Sequence, residues 1–205
     1  MNKFIHHAVI RCCSVVLLAV IVSLSGCSFA GKNDRSESEN PYVAEGPNFK
    51  IDRQRFDLYK ANMELAAEWN NVEQSLSDEQ LLDVLIKNEL AVQEAKKLEI
   101  VVTADEVKEY IAYQRSTLEL PAGVDEQEQR IRKLMDDRIA QSGLTEDEFW
   151  TSEDTRRGYE DAIYLSKLIS YLVDNEKIGG REQFDTYQNE LLQVAKAKSL
   201  IKIYL

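Results

Sequence analysis

From Phe49 to Leu205 apolar residues recur at helical spacing, run after run, with polar residues filling the intervals. Phe56, Tyr59, Met63 and Ala66 mark one face between Arg53 and Asn70. Leu82, Leu85 and Ile86 mark a second, Val107, Tyr110, Ile111 and Leu118 a third, and Ile131, Leu134, Met135 and Ile139 a fourth. The stretch from Thr145 to Asn175 predicts a long helix that bends around Thr151 to Asp154. Its second half carries Ala162, Ile163, Leu165, Leu168, Ile169, Leu172 and Val173, a stripe wide enough to pack on several sides. Gly179 and Gly180 then turn the chain into a last helix, facing inward through Phe184, Tyr187, Leu191 and Val194. The end, "LIKIYL", alternates instead and predicts a short strand. Its expected partner is the equally short "FKI" at Phe49 to Ile51. The pattern thus predicts a mainly α protein: a single helical domain of about six helices, with a short β pairing of its N- and C-terminal segments.

Local signals say where the helices begin. "LLDVLIKNELAVQEAKKLEIVVTADEVKEYI" runs like one amphipathic helix until Ile100, Val101 and Val102 interrupt it. Thr103 with Glu106 then forms a capping box, and Val102 with Val107 a hydrophobic staple, so the stretch predicts two helices and a bend. Ser77 with Gln80 and Thr145 with Glu148 repeat the box; Asp52 gives the cap alone, flanked by Ile51 and Phe56. Pro121 and Gly123 end the third helix, and Asp125 with Glu128 can start the fourth. Gly158, inside the long helix, costs about 1 kcal/mol against Ala and points to a close helix approach or a break.

The N-terminal end follows different rules. Lys3 and Arg11 precede a charge-free run of 15 residues from Cys12 to Gly26, shorter than the roughly 20 that span a bilayer. Residues 1–26 are expected to be a signal peptide. Leu24, Ser25, Gly26 and Cys27 resemble the lipobox of bacterial lipoproteins, which implies cleavage before Cys27 and a diacylglyceryl group on its sulfur. Two acyl chains suffice for stable anchoring, so the expected place is outside the cytoplasmic membrane, held to it by lipid on Cys27. Ser28 to Asn48 is polar, holds two of the three prolines and shows no sustained apolar period. Residues 27–48 therefore predict a lipidated cysteine and a flexible tether spanning roughly 25 Å. Residues 49–205, about 155 in number, are enough for one domain with its own core.

Cleavage removes His6, His7, Cys12 and Cys13, leaving 179 residues without histidine and with Cys27 as the one cysteine. Ser-His-Asp and Cys-His nucleophile systems and His- or Cys-based zinc sites then lack their parts. No disulfide forms within such a chain. The loss of two basic residues and no acidic ones leaves 23 basic against 36 acidic, a net charge of −13. That surface repels phosphate backbones, so nucleic acid is not an expected partner. No cofactor is expected either, because no phosphate-binding glycine loop appears.

The stretch from Leu85 to Ile111, with "PNFKIDRQRFDLYK" upstream, resembles the N-terminal chaperone segment of the SurA/PrsA-type foldases. The resemblance is good from about Phe49 to Leu118, weaker to Asn175, and returns in the final helix and strand. Glu99 stands where that family commonly has a glycine past a helix end, which implies a left-handed Glu99 at a cost glycine would not incur. The family normally inserts a parvulin-type prolyl isomerase domain at the point occupied here by "VDNEKIGGREQF", Val173 to Phe184, a segment too short to hold it. The resemblance implies a non-catalytic, chaperone-like lipoprotein that binds unfolded or secreted polypeptides. The alternative is an adaptor for one specific envelope protein in assembly or signalling.

Candidate binding chemistry is sparse. Trp69, Phe149 and Trp150 are candidates for client contact, but stapling and core packing are the usual work of aromatics at helix ends. Asp136 with Asp137 and Glu146 to Glu148 lack the alternating ligands and central glycine of a calcium loop. They read as solvated faces, and Glu146 to Glu148 as a favourable helix N-terminus. A chaperone should show a broad apolar cradle, an adaptor a smaller patch.

Overall fold

The computed structural model describes residues 40–69, 76–119 and 126–205. Two strands open it. β1 (Tyr42–Gly46) and β2 (Phe49–Asp52) form an antiparallel hairpin, with Gly46 opposite Phe49 and Ala44 opposite Ile51. Pro47, with its fixed φ, sits in the connection. Gly46 is required there by close approach, since a Cβ on it would lie 2.1 Å from the Phe49 ring.

The terminal segments do meet, but not by the pairing the sequence predicts. β3 (Lys202–Ile203) pairs with β1, Ala44 opposite Ile203, in the order β2-β1-β3. "FKI" is therefore not the partner of the C-terminal strand, and the last part of the expected tether is the central strand of the sheet. The reason is visible in the register, which shifts between Tyr42 and Ala44. Such an irregularity breaks strict alternation. Val43 and Ala44, adjacent in sequence, are both fully buried, so no period-2 pattern advertises the strand. The tether residues before Asn40 lie outside the described residues.

Seven α-helices follow among the described residues: α1 (Arg53–Trp69), α2 (Asp78–Lys97), α3 (Ala104–Glu119), α4 (Glu126–Ser142), α5 (Glu146–Thr151), α6 (Glu153–Asp174) and α7 (Phe184–Ala197). A 3-10 turn (Arg181–Gln183) leads into the last. The extra helix arises at Ser152, where the long helix does more than bend. Its extended backbone ends α5, and its hydroxyl accepts the Thr155 amide at 3.1 Å to start α6. Gly158 is buried inside an unbroken α6, so it does not mark the break.

The predicted starts form as expected. At α3 the Thr103 amide donates to Glu106 Oε2 at 2.8 Å while the Glu106 amide donates to Thr103 Oγ1 at 3.2 Å. Ser77 with Gln80 and Thr145 with Glu148 make the same reciprocal pair, and Asp52 accepts the Arg55 amide at 2.7 Å. Pro121, Gly123 and Asp125 lie outside the described residues.

Helix ends share a second device. After α2 the Glu99 amide donates to the Lys96 carbonyl and the Ile100 amide to that of Ala95, the paired bonds of a Schellman motif. Glu176 and Ser199 repeat it after α6 and α7. All three residues are left-handed, with φ of 58°, 53° and 52°, and none is glycine. The expectation for Glu99 holds, and two other positions carry the same strain.

The sheet, α1 and the first half of α2 enclose one cluster, in which Val43, Ile51, Phe56, Leu82 and Ile86 are buried. The second half of α2 packs with α6 and α7 through Ala91, Ala95, Leu165, Leu168 and Phe184. A third cluster joins α3, α4, α5 and the start of α6 through Val107, Met135, Phe149, Trp150 and Tyr159. Three predicted core positions are instead exposed: Ile131, Val173 and Val194. On α7 the fully buried line runs Phe184, Gln188, Leu192 and Ala195, with Tyr187 and Leu191 flanking it, which turns Val194 outward. Among the described residues no helix is long and apolar enough to cross a membrane.

Candidate functional site

The expected lipidation site, Cys27, lies outside the described residues. The aromatic candidates divide. Phe149 and Trp150 are in the core at 1% and 4% exposure, meeting edge to face at 5.3 Å, with Tyr159 stacked on the indole at 6.3 Å. Trp69 is half-buried, with the Lys133 ammonium 5.1 Å from its ring. Most of the acidic candidates are also occupied. Asp147 holds Arg115 at 2.6 Å and Asp137 holds Lys133 at 2.7 Å, while Glu148 caps α5 and is held below the usual carboxylate range by Thr145. Among the described residues no group of three or more metal-ligating side chains is assembled.

The charged chemistry that the fold does concentrate lies elsewhere. Arg55 of α1 and Glu89 of α2, 3% and 8% exposed, form a buried ion pair, and Arg157 of α6 reaches the same Glu89 oxygen at 3.6 Å. Two further Arg55 nitrogens, Nε and Nη1, are buried without a hydrogen bond. Asp161, one turn along α6 from Arg157, is half-buried beside this group. Burial first, and then the Glu89 carboxylate, push its acid up to about 6, against the pull of Arg55, Arg157 and Lys96.

Asp161 and Glu89 open onto a notch of about 610 Å³ between α2 and α6, edged by Asn48 of the hairpin. Val92, Gln93 and Lys96 line its α2 wall and Glu160 part of the other. Gln93 Nε2 is buried there with no hydrogen-bond partner. Carboxylates and cations thus share one notch, which suits it to polar recognition.

Sequence reasoning passed over this group because each member reads as an ordinary helix-surface charge. A signal was present. Glu89 falls three and four positions after Ile86 and Leu85, on the apolar face, and Asp161 stands four before Leu165 on the buried stripe of α6. Arg55 likewise shares the buried line of Tyr59 and Asn62. A charge inside an apolar stripe marks a buried ionic contact.

Exposed apolar side chains are the other feature that bears on binding. Half of the ten large ones among the described residues lie between Val194 and Leu205: Val194 itself, Leu200, Ile203, Tyr204 and Leu205. The remainder, such as Val101 and Tyr113, sit on separate elements.

No curated protein and no solved structure matches the chain. The family described as the SurA-like N-terminal domain does match, over residues 1–157. That stretch runs through the hairpin, α1 to α5 and the first residues of α6, and the remaining residues complete the sheet with β3 and cover α2 with α7. The mainly α fold, the capped helix starts and a match over more than half its length agree: the chain belongs to the SurA-like N-terminal domain family, a non-catalytic, chaperone-type domain.

Proposed function

We propose that this protein is a lipid-anchored, non-catalytic holder of unfolded or secreted polypeptides, working outside the cytoplasmic membrane. Membership of the SurA-like N-terminal domain family carries the reading. The lipobox-like Leu24 to Cys27 supports the anchor, and the short connection from α6 to α7, where the resembling foldases insert their isomerase, supports the absence of catalysis. The purified protein is expected to slow aggregation of several unrelated unfolded proteins without accelerating proline cis/trans isomerisation, which is slow enough uncatalysed to follow directly. Measurable isomerase activity would overturn the non-catalytic part. Cys27→Ser is expected to block lipidation and the matching cleavage; a variant still processed and lipidated would remove the anchor assignment.

One observation favours a second reading, an adaptor for a single envelope protein. Among the described residues the exposed apolar side chains are concentrated near the C-terminal strand and do not form a broad cradle. Crosslinking in intact cells separates the two: many unrelated secreted proteins captured means a holder, one means an adaptor.

A further inference from the structure

We infer that the notch between α2 and α6 takes a basic side chain, Arg or Lys, of a bound polypeptide, with Asp161 as its acceptor. This rests on the polypeptide-holding reading and names the chemistry that the held chain presents.

The argument starts from pairing. Arg156 is held by Glu153 and Glu160, Arg157 approaches Glu89, and Lys97 is paired with Glu94. The Lys96 ammonium lies over the Tyr164 ring at 4.9 Å. Glu89 is engaged by two arginines. Asp161 alone among the carboxylates facing the notch makes no hydrogen bond or ion pair with any described residue. An unpaired, half-buried carboxyl next to a second carboxylate destabilises the free protein, and a cation placed beside it relieves that cost.

Other ligands fit less well. A divalent cation needs several oxygens at once, and Glu89 Oε1 is already shared by Arg55 and Arg157. An anion would meet the unpaired Asp161, whereas Lys97, Arg156 and Arg157 among the notch's cations already have carboxylate partners. A basic side chain fits both halves of the wall, because its charged head reaches Asp161 while its methylene stem lies along Val92. The notch volume of about 610 Å³ lies within the range of sites that enclose such a group.

The test uses the mature protein in detergent and two fluorescent peptides of one apolar sequence, identical except for Arg or Gln at the centre, followed by anisotropy. The Arg peptide is expected to bind about fivefold more tightly, the size of a partly exposed ion pair. Asp161→Asn should erase that preference, leave the Gln peptide's affinity unchanged and leave the protein folded, as read by its melting curve. Equal binding of the two peptides by wild type, or a preference that survives Asp161→Asn, overturns the inference and leaves the holding reading intact. Binding of neither peptide overturns both.

Discussion

The sheet end of the molecule and the α3–α5 end are held in different ways. At the sheet end, Val43, Ala44, Ile51 and Ile86 have no exposed surface, and the cluster draws on both ends of the domain, from Val43 to Leu192. Beneath it lies the buried Arg55–Glu89 pair. At the α3–α5 end five residues are buried, and the rest of the cluster is only half-buried. There the helices are tied by capping boxes and exposed ion pairs, Arg115 to Asp147 and Lys167 to Glu106 at 2.6 Å each. The difference teaches that long-range burial fixes one end, whereas local hydrogen bonding shapes the other, where packing is thinner.

The sharpest way to break this contrast is to strand a charge at the well-packed end. Glu89→Ala leaves the Arg55 guanidinium buried without its carboxylate and is expected to cost about 3 kcal/mol in urea unfolding. The low end of the usual range applies because the Asp161 carboxylate, freed of its neighbour's repulsion, leaves a negative charge acting on the stranded guanidinium. A loss no larger than that of an exposed pair such as Arg115→Ala, under about 1 kcal/mol, would show that the two ends are held alike.

The neighbouring carboxyl predicts an effect of opposite sign. Asp161 keeps its proton up to about pH 6 in the folded protein, whereas an unfolded Asp releases it near 4. The folded state therefore binds more protons between these values, and stability falls as pH rises through that window. Asp161→Asn should be about 1–2 kcal/mol more stable than wild type at pH 7.5, with the gap closing below pH 4. A pH series of melting curves checks it; a variant less stable than wild type at neutral pH would mean that Asp161 is paired.

At the local end, Thr103→Ala removes one half of the α3 capping box and should cost about 0.5–2 kcal/mol, while the neighbouring Ala104→Ser changes little. Equal stability of Thr103→Ala and wild type would assign the bend to packing instead. The smallest expected change is a gain. Glu99→Gly relieves a left-handed φ of 58° at the end of α2 and should add about 0.5–1 kcal/mol. Ser199→Gly tests the same motif at the sheet end, and a gain at only one of the two would tie the effect to its surroundings.

The sequence by itself determined what depends on neighbours along the chain. Helix type and the starts at Asp52, Ser77, Thr103 and Thr145 are set by hydrogen bonds that reach no more than five residues, so each is written in its own short stretch. The core aromatics Phe149 and Trp150 were legible for the same reason. Tertiary structure alone decided the rest. The irregular β1 has no alternation of its own and becomes a strand only when β2 and β3 bring partners to both its edges, the latter from more than 150 residues away. The rotation that exposes Val194 was set by where α2 sits, not by spacing within α7. The ionic group of Arg55, Glu89, Arg157 and Asp161 comes from three helices, and no periodicity within one helix can say which charge will face another across a packed interface.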